Sequence, residues 1–147
     1  MTKCDDVLVD FVTRTSSSNG VSAKVDLIDD IEPFEKGCIT VALGGSVGAA
    51  FVQNNKFYTC QGMAVLTPYK NDMTLLQKLF ICKLINFETS VKFVAYGREL
   101  YCNLKNFTIK LPTIHDEPDF DFIEQFMSEL LSEINNDNYK IMDKILG

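Results

Sequence analysis

Arg14 stands between Thr13 and Thr15 and ahead of Ser16, Ser17 and Asn19, directly after the β-rich apolar run Leu8-Val9-Asp10-Phe11-Val12. A guanidinium offers five N–H donors in a rigid fork, and here hydroxyls and a carboxamide flank it. That set suits phosphate oxygens or base edges. It suits equally a hairpin loop turned to water, and the residues alone leave both readings open. A second group of this kind is Lys92, Phe93, Tyr96, Gly97, Arg98 and Glu99. Arg98 can fork onto guanine or a phosphate, and Tyr96 can touch sugar or phosphate. Paired with Glu99 or a carbonyl, the same Arg98 is a structural clamp.

Other patterns point away from catalysis. Gly44-Gly45-Ser46-Val47-Gly48 has the glycines of a phosphate cradle. It lacks the Gly-Lys-Ser/Thr ending of a P-loop, and a strand-like Ala49-Ala50-Phe51-Val52 follows it where a helix N-terminus would be needed. A tight glycine turn is expected. His115 is the single histidine and lies in an acidic loop, so neither a catalytic triad nor a histidine-rich metal site can be built on it. Pro118-Asp119 could open a nuclease carboxylate cluster, but no Glu-x-Lys or Asp-x-Lys follows, and a helix cap explains the Asp. There is no glycine-rich methyl-donor loop and no Asn/Asp-Pro-Pro-aromatic segment. Cys4, Cys38, Cys60, Cys82 and Cys102 form no CxxC pair, which reads as reduced, mostly buried thiols without a disulfide frame or zinc. The chain is expected to be non-catalytic, with no metal and no cofactor of its own.

The elements that must position these residues follow from periodicity. Residues 7–13 read as a strand ending in a turn, and 22–28 alternate as a second strand, making a hairpin. Residues 29–37 form an exposed loop. Residues 38–45 are a continuous apolar run bounded by glycines, a central strand, and two or three short strands follow. The first helix starts at the Thr74-x-x-Gln77 capping box. Residues 90–97 read as a strand, 98–106 as a short helix or turn, and 107–112 as another strand. From Pro118 a second helix presents Phe122, Ile123, Phe126, Met127, Leu130, Leu131 and Ile134 opposite Asp121, Glu124, Glu129 and Glu133. That stripe either docks on the core or meets a partner through Phe126 and Leu130. Strands come early and helices late, so the class is α+β with a twisted mixed sheet and two or three helices. The domain is placed at 1–134, with a helical tail at 135–147.

Composition sets the outer bounds. A chain of 147 residues, 46% hydrophobic and 23% charged, is ordinary for a globular protein of one domain. No 18-residue apolar run exists, and acids stand where a signal peptide needs bases, so a cytoplasmic location is expected. The net charge is −6, but it is unevenly spread. Residues 1–36 carry four bases against eight acids, 37–112 eight against three, and 113–147 two against nine. A basic middle lies between acidic ends, which matters more than the total for a polyanionic partner.

The ordered segments FVTRTSSSNGV, GCITVALGGSVGAAFVQNNKFYT, KLFICKLI, KFVAYGREL, FTIKLP and PDFDFIEQFMSEL resemble the target recognition domain of restriction-modification specificity proteins. These are the DNA-reading modules of type I systems and of related type II methyltransferase-endonucleases. The resemblance runs from about residue 7 to 131. It implies an α+β recognition module for double-stranded DNA, with Thr13, Arg14, Thr15, Ser16, Ser17, Asn19, Lys92, Tyr96 and Arg98 as candidate contacts. It also implies a modification subunit as partner, which would bind S-adenosylmethionine and flip and methylate an adenine. A restriction subunit or a second copy of the chain are further candidate partners. A family unit has more sequence ahead of the Val-Thr-Arg-Thr stretch, a second recognition domain and long helical spacers, and more often a tryptophan where Phe120 stands. A shortened, half-length module is therefore expected. The other reading is a protein-interaction module that docks on the modification subunit without reading DNA.

Overall fold

The computed structural model describes residues 8–69, 72–92, 100 and 102–146. Two three-stranded sheets form most of its β part: β1 (Val9–Val12), β2 (Val21–Val25) and β5 (Phe57–Thr59) in one, and β3 (Ile39–Ala42), β4 (Ala50–Val52) and β6 (Met63–Leu66) in the other. The expected hairpin is present, with Val9 opposite Val25 and Val12 opposite Val21. β5 lies parallel to β1 on its other side, Val12 opposite Thr59. β3 is the centre of the second sheet, antiparallel to both neighbours.

The run of β3, apolar apart from Thr40, reflects burial on both faces. Ile39 and Val41 join a core with Ala50, Val52, Cys82, Ile85 and Leu100, on the side of helix α1 (Leu75–Lys92). On the other side, Cys38 packs with Val12 and Phe57 between the two sheets. β6 alternates the same way, Ala64 and Leu66 toward the helix and Met63 and Val65 toward the first sheet. A strand covered on both sides needs no polar alternation.

Both helix starts follow their sequence signals. Thr74 Oγ1 accepts from Gln77 N–H at 3.2 Å, while Gln77 Oε1 accepts from Thr74 N–H at 3.1 Å. Helix α2 (Phe120–Leu146) is capped by Asp119, whose Oδ1 accepts from Phe122 N–H at 3.0 Å. Its first turns dock on α1: Ile123 is fully buried, Phe126 meets Phe80 edge-on, Thr74 bonds Glu124, and Gln77 donates to the Phe120 carbonyl. Farther on, 128–138 are all exposed.

Three local expectations are corrected. The strand expected at 90–97 does not begin there, because α1 runs through Lys92; residues 93–97 lie outside the described residues. Thr89 Oγ1 bonds the carbonyls of Ile85 and Asn86, and Ser90 Oγ that of Phe87, so the hydroxyls are satisfied inside the helix. Residues 107–112 are irregular. Phe107 and Ile109 do turn to the core alternately, but no strand among the described residues supplies a ladder. Instead Thr113–Ile114 and Glu117–Pro118 form a small hairpin, β7 and β8, with His115 and Asp116 at its tip at φ 51° and 63°. Among the thiols, Cys38 and Cys82 are buried as expected, but Cys60 is half-buried and Cys102 exposed.

Candidate nucleic-acid interface

Strand direction determines which loops meet. The registers bring the C-terminal ends of β1, β3 and β5 together with the N-terminal ends of β2, β4 and β6. The three connections at 13–20, 43–49 and 60–62 therefore lie at one end of the molecule. Helix α1 starts at the opposite end, where Lys78 Nζ donates to the Gly37 carbonyl at 2.9 Å. It finishes at the loop end, where Asn86 Oδ1 accepts from Ala50 N–H at 3.0 Å and Thr89 presses on Gly48. A methyl group on Gly48 would sit 1.9 Å from Thr89 Oγ1, so glycine there permits the helix to approach.

The 13–20 loop is held by its own polar groups. Thr13 N–H donates to the Gly20 carbonyl at 2.9 Å, and Thr15 and Ser17 hydroxyls lie 3.0 Å apart. Ser18, Asn19 and Gly20 have φ of 50°, 56° and 78°. Asn19 turns inward: its amide donates to the Val52 carbonyl at 2.9 Å, and Gln53 Nε2 returns a bond to the Asn19 carbonyl at 3.0 Å. Gln53 also reaches Thr40 Oγ1 at 2.9 Å, so a fully buried polar pair anchors the loop. Ser16 and Ser17 are exposed, while Thr13 and Thr15 are half-buried.

Arg14 is exposed and lies across the other two loops. Its carbonyl accepts from Ser46 N–H at 3.2 Å, and its side chain passes over Gly44 and Gly62. Among the described residues, no carboxylate lies within 4 Å of its guanidinium. The three loops contain Arg14, hydroxyls, amides and glycines, and no Asp or Glu. The acids Asp26, Asp29, Asp30, Glu32 and Glu35 sit in the β2–β3 connection at the opposite end, and α2 docks near the start of α1. Lys92 closes α1 one turn beyond Thr89, so its backbone reaches the loop end. Tyr96 and Arg98 lie outside the described residues.

The structure thus brings 13–19 and the end of α1 together. It adds 43–49, whose glycines read in the sequence as a tight turn, and 60–62, which lies among the short strands that follow. Their signal was available only as glycines between short strands, because the parallel pairing of β1 with β5 is not written in any local pattern. Phe126 and Leu130 are elsewhere, on α2, 44% and 39% exposed, in a row with Phe122, Leu131 and Ile134 that is likewise open to solvent.

Among the described residues three ionisable groups depart from ordinary behaviour, all away from these loops; the simplest is Lys56, whose ammonium is held above its usual range by its hydrogen bond to Glu35 at 2.8 Å. The hydrogen bond from Lys24 Nζ at 2.6 Å, with a second from Asn55 at 3.0 Å, holds the Asp10 carboxyl below the usual range. Burial pushes the Cys82 thiol up to about 12, which leaves it unreactive. Among the described residues no cluster of His, Cys, Asp and Glu could hold a metal ion, and no helix is long and apolar enough to cross a membrane.

Comparison with known proteins places this architecture. Residues 2–137 match the model of the type I restriction modification DNA specificity domain, and the chain belongs to that family, a non-catalytic recognition component of restriction-modification systems. It is also similar to the "Type II restriction enzyme BgcI specificity subunit S.BcgI" of Heyndrickxia coagulans, 28% identical over 126 residues. That alignment covers 84% of this chain and 36% of the relative, so the chain spans about a third of the relative's length. No solved structure matches it.

Proposed function

We propose that the end formed by 13–20, 43–49 and 60–62 reads double-stranded DNA. In this reading the chain recognises one half of a split target and directs a partner adenine methyltransferase, or methyltransferase-endonuclease, to it. The observation that carries the proposal is the sorting of charge by end. Three loops with a guanidinium, hydroxyls and backbone N–H groups but no carboxylate of their own occupy one end, beside the single acid Glu88 of α1, and a cluster of five acids occupies the other. Phosphates would repel the acidic end and accept hydrogen bonds at the other, so the overall −6 does not oppose binding. S-adenosylmethionine would be held by the modification partner, and a cytoplasmic setting fits that partnership.

The test is an anisotropy titration of the chain, alone and with a modification subunit, on duplexes selected from a randomised pool. Selection of a defined sequence is expected, with log affinity falling against log salt by about 0.9 for each phosphate engaged. No selected sequence with either preparation would contradict the proposal.

A second reading rests on α2. Its row of exposed apolar side chains supports a docking role on the modification subunit, which is compatible with DNA reading at the other end. Because Phe126 also packs on Phe80, Leu130→Asp is the better probe. It is expected to abolish co-purification with the modification subunit and leave DNA selection intact; unchanged association would remove α2 as the contact.

A further inference from the structure

We infer that Gly44 and Gly62 are positioning residues that fix the aim of Arg14, presenting its guanidinium fork in one orientation to a guanine edge in the major groove. This rests on the reading of the loop end as a DNA surface.

Arginine carries large rotamer freedom, which a base-reading side chain must surrender on binding. An exposed arginine without an ionic partner would ordinarily keep that freedom. Here the side chain runs along a floor from which two side chains have been removed. A Cβ on Gly62 would lie 3.2 Å from Arg14 Cδ, and one on Gly44 would lie 3.2 Å from Nη1. The backbone of Arg14 is fixed as well: a Cβ on Gly45 would lie 2.9 Å from its carbonyl oxygen, which Ser46 N–H holds.

Gly44 separates positioning from backbone need. Gly45 and Gly62 have φ of +65° and +81°, where glycine is favoured whatever lies nearby. Gly44 has no left-handed φ, and the atoms that would meet its Cβ are Arg14 Nη1 and Cδ. No left-handed φ demands glycine there, so what glycine protects at 44 is the path of Arg14. A phosphate contact needs a nearby charge and tolerates a mobile one. A bidentate bond to guanine O6 and N7 needs the fork held in plane and direction, and a fixed guanidinium supplies that.

The test is a double-mutant cycle with the full chain on its selected duplex. Arg14→Ala is expected to weaken binding roughly ten- to a hundred-fold and to erase discrimination at one G·C position. Gly44→Val is expected to erase discrimination at that same position with an unchanged thermal midpoint, and to add nothing in the Arg14→Ala background. Equal weakening by Gly44→Val in both backgrounds would overturn the positioning role. So would an Arg14→Ala loss that is uniform over sequences and lowers the salt slope by about one, the mark of a phosphate contact. A DNA-independent arm keeps the two readings apart: the Arg14 Nε–Hε order parameter should be high in the parent chain and fall in Gly44→Val. A mobile Arg14 in the parent would sink the cradle even if DNA binds; an ordered Arg14 in a chain that binds no duplex would sink the DNA reading and the base contact with it.

Discussion

Asp10 shows how a single buried charge holds this fold together. Its two oxygens receive Lys24 from β2 and Asn55 from the β4–β5 turn, so one carboxylate ties a hairpin to a connection 45 residues away. Because its folded pKa is depressed, the stabilisation is fully present above the unfolded value, near 3.8, and is lost as pH falls through the folded one. Asp10→Asn should therefore lower stability at neutral pH by about 2 kcal/mol and flatten its decline in the acid range. Denaturant melts at pH 7 and below pH 4 check this; an unchanged acid limb would contradict it. At the other end of β1, Asn19 is spent on Val52 and Gln53 and is poorly placed to donate its amide outward, whereas Ser16, Ser17 and Arg14 face solvent.

Among the elements, α1 is the joint of the molecule. Gln77 caps it, and the same amide donates to Phe120 at the start of α2. Gln77→Ala is expected to cost about 1–2 kcal/mol and to loosen the docking of α2. Hydrogen exchange should show faster exchange at the starts of both helices; an effect confined to α1 would contradict the joint role. Both caps, the first hairpin and the doubly buried β3 were legible because their signals are local: Thr74 with Gln77, Asp119, alternation in 22–25, and an apolar run between glycines. Residues 90–92 misled because Val91 favours strands, while the Ser90 hydroxyl, which competes with helix locally, is satisfied by the Phe87 carbonyl inside α1. Residues 107–112 misled because alternation reports which side faces the core, and says nothing about a neighbouring strand.

At the scale of the whole molecule, charge is separated along its length. The three loops carry Arg14 and no carboxylate, with Glu88 of α1 the acid at that end, while the acids of 26–35 and the docked start of α2 lie away from it. The sequence showed a basic middle between acidic ends, and Arg14 belongs to the acidic first part by count. The parallel alignment of β5 with β1 and the bond from Ser46 N–H to its carbonyl carry it to the glycine loops, so the composition of the candidate interface was hidden until the chain was folded. Such polarity would orient an approaching duplex even though the net charge is negative.

The most direct measurement is backbone amide chemical-shift mapping of the labelled chain titrated with its selected duplex. Perturbations concentrated at 13–20, 43–49, 60–62 and the end of α1, with 26–36 and 128–138 unmoved, are the predicted result. Perturbations centred on the acidic connection or on α2, with the three loops silent, would contradict the account.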